Sequence, residues 1–236
     1  MLQSCRNFNY FRCESTPRPL AGWSSLAILV LAACMLLGSA SRSQAETPAA
    51  AGTSLFDGKT LGHWKPTAFG GEGDVEVKDG LLLLGAGNPM TGVTWTGDIP
   101  KMDYEISLDA KRVDGSDFFC ALTFPVGKDP CSFIAGGWGG GVVGLSNIDG
   151  SDASENETTK YLEFERDRWY KIRVRVTTEK IQAWIDKHEM VDLETKDRRI
   201  SIRTEVELSR PLGIACYSTK AALREIKVIR LDSARK

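Results

Sequence analysis

Between residues 170 and 176 the chain reads "YKIRVRV", in which Tyr170, Ile172, Val174 and Val176 alternate with Lys171, Arg173 and Arg175. A period of two puts one set of side chains on a buried face and the other in water, so this segment is predicted to be a strand. The alternation runs on through "TTEK" into "IQAWID" and through "KHE" into "MVDLE", which predicts a three-strand meander. "MDYEISLDAKRV" alternates likewise, with Tyr104, Ile106, Leu108 and Ala110 on one side. "VEVKDGLLLL" reads as a hairpin turned at Asp79-Gly80, a dipeptide that accepts the positive φ of a tight turn. "DFFCALTF", "CSFIAGG", "VVGLS", "LGIACYS" and "REIKVIRL" add strands. Only "TSLFDGKTLGHW" and "ASENETTKYL" leave room for a short helical turn. Many strands separated by turn dipeptides, with no amphipathic helix, predict an all-β fold: a two-sheet antiparallel sandwich over residues 54–232.

The first 45 residues break this pattern. Arg6, Arg12 and Arg18 precede the apolar run "LAILVLAACMLLG", and "SASRSQAE" follows it, which is the layout of an export signal ending near Ala45. The run falls short of the roughly 20 residues that span a bilayer, so no membrane span is expected. "LAAC" offers a second reading, a lipid anchor at Cys34, although the apolar "MLLG" continues past that cysteine. Either way the chain is expected to be exported, to a periplasmic, cell-surface or secreted location. Residues 46–53 read as a linker and 233–236 as a tail. Export matters for the cysteines: beyond the leader only Cys120, Cys131 and Cys216 remain, and the first two flank the turn-rich "PVGKDP". In an oxidising compartment they are candidates for a hairpin disulfide, the alternative being two small core residues. A formal net charge of −1 leaves no electrostatic footprint for nucleic acid.

Candidate chemistry gathers in the middle of the chain. In "AGGWGGGVVGLSNIDG", Gly139, Gly141 and Gly144 satisfy G-x-G-x-x-G, the spacing of a dinucleotide-binding turn. That motif needs a helix starting inside the glycines, and "LSNIDGSD" cannot propagate one, so no nucleotide cofactor is expected. Glycine in a strand instead marks a place where a ligand or another backbone comes close. Trp138, among five glycines, is therefore a candidate stacking platform for a saccharide ring, or else a core plug at a bulge. Asp117, with Phe119 two residues on, offers a carboxylate beside an aromatic. The loop "SNIDGSDASENETT" carries Asp149, Asp152, Glu155 and Glu157 without a basic residue, so it is either solvated or holds a cation such as Ca2+. Asn147 and Asn156 are candidate partners for sugar hydroxyls, since an amide both donates and accepts. "EFERD" would place Glu163, Glu165 and Asp167 on one strand face, as in a glycosidase, but "ERDRW" reads better as a turn. His63 and His188 stand alone, so neither a histidine-rich metal centre nor a serine-histidine triad is expected.

The order "SLFDGKTLGHWK", "VEVKDGLLLLG", "DYEISLDAKR", "WYKIRVRVTTEKIQAWID" and "LGIACYS…LREIKVIRL" resembles a bacterial exported family, the 3-keto-disaccharide hydrolase domain, in a branch of planctomycete type. The resemblance covers Ser54 to Leu231. It implies a concanavalin A-like jelly roll with a saccharide-binding face, and cleavage of glycosides already oxidised at C3. Removal of the acidified C2 hydrogen, elimination at C1 and readdition of water would then need a base, here Asp117 or Glu155. Asn147, Asp149 and Asn156 would hold hydroxyls or a cation, with Phe119 and Trp138 against the sugar. The resemblance equally allows a non-catalytic, lectin-like carbohydrate-binding module. The commoner family form carries an arginine in "GNSGIFFR" and a glutamate in "ExQxxD"; the corresponding stretches here, "DGSDFFCALTF" and "GGVVGLSNID", lack both.

Overall fold

The computed structural model describes residues 52–231. The proposed export signal, Cys34, residues 46–51 of the linker and the 233–236 tail lie outside the described residues. Fifteen strands form in chain order: β1 (Thr53–Ser54), β2 (Trp64–Pro66), β3 (Val75–Lys78), β4 (Leu81–Leu84), β5 (Met90–Trp95), β6 (Tyr104–Gly115), β7 (Cys120–Val126) and β8 (Asp129–Gly137). The second half adds β9 (Val142–Ser146), β10 (Lys160–Tyr161), β11 (Tyr170–Val176), β12 (Lys180–Ile185), β13 (His188–Glu194), β14 (Gly213–Tyr217) and β15 (Thr219–Arg230). They make two antiparallel sheets. The first runs β13-β12-β11-β6-β15-β4-β3, with β1 also on β15; the second runs β10-β9-β8-β7-β14-β5-β2. Thr53 pairs with Val228, so the sandwich starts one residue before the sequence pattern does.

The period of two decides what fills the interior. Tyr104, Ile106, Leu108 and Ala110 of β6, and Tyr170, Ile172, Val174 and Val176 of β11, are all buried. They share one core cluster with Cys120, Leu122 and Phe124 of β7 and Phe133 of β8 from the opposite sheet. Burial of each large side chain contributes about 1.5–3 kcal/mol, which makes this layer the main source of stability. Asp79 and Gly80 both take positive φ at the β3–β4 turn, as the Asp-Gly pair requires. The only helix among the described residues is a 3-10 segment, Thr204–Ser209, in neither of the stretches the sequence left open. Its "TEVELS" has no apolar stripe, and it forms as a cover over β5 and β14.

The register rules out the Cys120–Cys131 disulfide. Cys120 faces Ala135 and Cys131 faces Phe124, so the two lie four positions apart along the hairpin. At about 3.3 Å per residue that is far beyond the reach of a disulfide. Both are free and buried, as is Cys216. Burial holds the Cys131 and Cys216 thiols up at about 12, and raises Cys120 further still. The folded protein is therefore expected to leave these three thiols unmodified by a thiol reagent at pH 8, and to label all three after denaturation. A Cys120–Cys131 cross-linked peptide in a non-reducing mass map would contradict this register.

Two adjoining rows on the outer face of the second sheet carry mostly small side chains. Pairing sets Gly92, Ala215, Ala121, Ile134 and Gly144 in one row across β5, β14, β7, β8 and β9. The next row is Thr94, Gly213, Thr123, Ser132 and Ser146. With little side-chain bulk on this face, neighbouring segments settle directly on the strands. The 3-10 segment brings the Ser209 carbonyl against Gly213, and the 147–159 loop brings Ala153 and Thr158 against Gly144. Between these two covers a trough remains.

Candidate functional site

The trough has a volume of about 280 Å3. Ser132, Ile134 and Ser146 form its floor. Met90, Phe118 and Tyr217 line it as well, with the Phe118 and Tyr217 ring centroids 5.6 Å apart. Asp117 and Trp138 line it from the β6–β7 and β8–β9 connections, Arg203 from just before the 3-10 segment, and Glu205 and Val206 from within it. An apolar and aromatic surface with a few convergent polar groups is the usual make-up of a small-molecule site.

Two contacts fix Asp117. Its Oδ1 accepts from the Phe118 N–H at 2.7 Å, and its Oδ2 accepts from the Gly139 N–H at 3.0 Å. A carboxylate offers about four lone-pair directions, so each oxygen keeps one for a ligand. The second contact also ties Asp117 to the loop bearing Trp138, which is 44% exposed and held at φ 49°. The glycines around Trp138 have a specific job. Arg112, on the inward face of β6, is 8% exposed and reaches across the end of the sandwich to the second sheet. Its Nη2 donates to the carbonyls of Asp117 (3.1 Å), Gly136 (3.4 Å) and Gly140 (3.0 Å). A Cβ on Gly136 would lie 2.6 Å from that nitrogen, so only glycine admits the guanidinium there. Phe119 and Phe164 stack beneath it, with Cζ 5.4 and 5.9 Å from their ring centres. Burial lowers the Arg112 pKa, and the nearby Asp117 carboxylate offsets part of that. Its Nε is buried without a partner. A costly buried charge that clamps two loops is a positioning element.

On the opposite wall, Arg203 donates to Asp152 Oδ2 at 2.9 Å and to Glu205 Oε1 at 2.7 Å. The bond from Arg203 holds the Glu205 carboxyl below its usual range, and the same bond, first among several, raises Arg203. Two of the five guanidinium N–H groups are used in these bonds, leaving others for a ligand.

The structure brings together only some of the residues expected from sequence. Asp117 and Trp138 share the trough. Phe119 does not: it is fully buried against Phe164 and Tyr170, because the 115–118 turn breaks the alternation that would have put it beside Asp117. Asn156 is used up by the fold. Its Nδ2 donates to the Leu145, Ser151 and Asp152 carbonyls, and its Oδ1 accepts from Thr158 N–H and Oγ1, so no hydrogen bond is spare for a sugar. Asn147 sits next to Ser146 at the floor but does not line the trough, and its backbone pairs with Ser201. Glu155 is exposed and lies outside the trough.

The acidic loop has its counter-charges after all. Asp149 accepts from Arg198 at 2.8 Å and from the Arg199 N–H, Glu157 pairs with Arg198, and Asp152 pairs with Arg203. Arginines from the 198–203 segment thus pair three of the loop's four carboxylates, and no group of three or more His, Cys, Asp or Glu among the described residues is arranged to hold a metal. "EFERD" lies outside the strands: Glu165 pairs with Arg168 and Asp167 with Lys111, which removes the glycosidase arrangement. Likewise, the G-x-G-x-x-G glycines form the turn between two antiparallel strands and the inside of β9.

Sequence reasoning missed Arg112, Arg203, Glu205 and Tyr217. Only Arg112 left a signal: it continues the inward series 104, 106, 108, 110 of β6, where a charged residue is out of place.

Comparison with known proteins fits this architecture. A family model described as a 3-keto-alpha-glucoside-1,2-lyase-like domain matches residues 51–229. No curated protein matches the chain. Among solved structures it is similar to one described with endo-acting O-glycanases that human gut bacteria use to initiate mucin breakdown, at 14% identity over 74% of this chain and 94% of that one, TM-score 0.51. It is also similar to a protein of unknown function with a galectin-like fold from Bacillus subtilis, at 11% identity over 71% and 89% of the two chains, TM-score 0.51. The Crh5 transglycosylase in complex with NAG gives 10% identity over 78% and 84%, TM-score 0.52. At these identities the likeness is one of fold, and the fold is a jelly-roll sandwich.

Proposed function

From the premise that the chain belongs to the 3-keto-alpha-glucoside-1,2-lyase-like family, we propose that its trough binds an α-glucoside oxidised at C3 and cleaves it by elimination. The observation that carries this reading is a fixed carboxylate, Asp117, beside an exposed indole, Trp138, above a floor of Ser132, Ile134 and Ser146. A C3 ketone acidifies the C2 hydrogen. Asp117 takes that proton, and the electron pair of the broken C–H bond moves into an enolate on the C3 oxygen. The Arg203 guanidinium donates to that oxygen as its charge grows. Collapse of the enolate restores the ketone, forms the C1–C2 double bond and expels the C1 oxygen, which leaves as an alcohol after picking up a proton. Water then adds across the double bond to give the free keto-sugar.

A binding-only reading is favoured by one observation: both Asp117 oxygens already accept a backbone N–H. The two readings separate when purified protein is given 3-keto-maltose or maltose and released glucose is followed. Turnover of the first but not the second supports elimination; binding of either without turnover leaves a lectin-like module. In both cases Trp138→Ala is expected to weaken binding about 10- to 100-fold, the scale of losing an aromatic stacking surface, with little change in Tm because the ring is half exposed.

A further inference from the structure

On the far side of the Trp138 loop lies a second, more open depression of about 450 Å3, bordered by Gly139, Gly140 and Gly141 on one side and by Tyr161 and Glu163 on the other. Tyr161 is 76% exposed, the most exposed large apolar side chain among the described residues. It sits on β10, paired with Val142, so its backbone is fixed while its ring is free. Glu163 is exposed and makes no ion pair or side-chain hydrogen bond among the described residues. Gly141 needs no explanation from the fold, since its φ is ordinary and a Cβ there would meet only the Leu162 carbonyl at 3.6 Å. A bare backbone that packing does not demand, facing an uncovered aromatic and an unpaired carboxylate, suits a ligand that must pass close to the main chain.

The two depressions are mechanically one. Trp138 lines the first, the next three residues line the second, and the Arg112 guanidinium bonds to Asp117 on one side and to Gly140 on the other. We propose that this second depression is a further saccharide subsite, so that the substrate is an oligosaccharide crossing the Gly139–Gly141 ridge rather than a disaccharide confined to the trough. Tyr161 stacks on a sugar unit of the extension, and Glu163 accepts from its hydroxyls. This rests on the saccharide reading of the trough.

The test compares 3-keto-maltose with 3-keto-maltotetraose, and unoxidised maltotetraose by calorimetry, in wild type, Tyr161→Ala and Glu163→Gln. The wild type is expected to show a KM at least about 10-fold lower for the tetrasaccharide. Tyr161→Ala should erase that gap, and Glu163→Gln reduce it, with the 3-keto-maltose KM unchanged and Tm preserved. Equal KM values for the two lengths in wild type, or a gap that survives both substitutions, overturn the proposal while leaving the trough intact. Absence of any activity on 3-keto-maltose counts against the lyase reading alone, if maltotetraose still binds and Tyr161→Ala removes that binding. No binding of maltotetraose and no activity on either keto-sugar overturns both.

Discussion

Asp117→Asn is expected to lower kcat on a 3-keto-glucoside by about 10²- to 10⁴-fold, the range for removing a general base, while KM changes less than threefold. The amide oxygen can keep one of the two backbone contacts, to Phe118 or to Gly139, but its NH2 then opposes the other N–H. That clash is small beside the catalytic effect, because the Gly139 amide is exposed and water can replace the lost acceptor. The Trp138 loop stays in place through the separate bond from Arg112 to Gly140. Steady-state kinetics with glucose release as readout check this. A kcat within tenfold of wild type would assign the proton transfer to another group. A large rise in KM with kcat unchanged would make Asp117 a binding group only.

Arg112→Met should have the opposite profile, with loss of stability and of binding together. Methionine fills the space between Phe119 and Phe164 but leaves the carbonyls of Gly136 and Gly140 without the Arg112 donor, while that of Asp117 keeps the Thr219 hydroxyl. Each unsatisfied buried acceptor costs about 1–3 kcal/mol, so a total of about 3 kcal/mol is expected. For a domain of this size that lowers Tm by about 10 °C. Because one guanidinium holds both the 115–118 turn and the 136–140 loop, Asp117 and Trp138 lose their common geometry, and saccharide affinity is expected to fall at least 30-fold. Arg112→Lys keeps the charge and one donor direction, so it should recover part of the stability and little of the affinity. Thermal melts beside binding isotherms distinguish this from a simple cavity effect. A destabilised Arg112→Met that binds saccharide as tightly as wild type would show that the clamp does not shape the site.

The fold was legible because its determinants are local. Alternation in β6 and β11 fixed which face each strand buries, and Asp79-Gly80 fixed a hairpin. Asp117 and Trp138 were both singled out from sequence and both line the trough, but Asp117 for a pairing with Phe119 that the fold does not make, and Trp138 as an aromatic cleared of neighbours. The rest of the site depends on contacts between segments far apart in the chain. Arg203 comes 51 residues after Asp152, and nothing in "ISIRTEVELSRP" announces that its 3-10 turn will settle on Gly213. Reading the 147–159 loop by itself left two choices, solvation or a cation, and could not show that Arg198 and Arg203 supply positive charge from a later segment. Phe119 was misplaced for a different reason: a period of two holds only within a strand, and the turn before β7 resets it. The glycines were read as marking the approach of a ligand or another backbone; at Gly136 what approaches is the buried Arg112 side chain and at Gly140 first the Ser116 carbonyl, neither of which a local pattern around residue 138 reveals.

The central claim is that saccharide meets this chain at the trough where Asp117, Trp138 and Arg203 converge. A crystal structure of the Asp117→Asn variant soaked with 3-keto-maltose tests it most directly. The account predicts a sugar ring against Trp138, over Ser132 and Ser146, with its C2 hydrogen directed at residue 117. A ring bound on another face of the sandwich, with the trough holding only solvent, would contradict it.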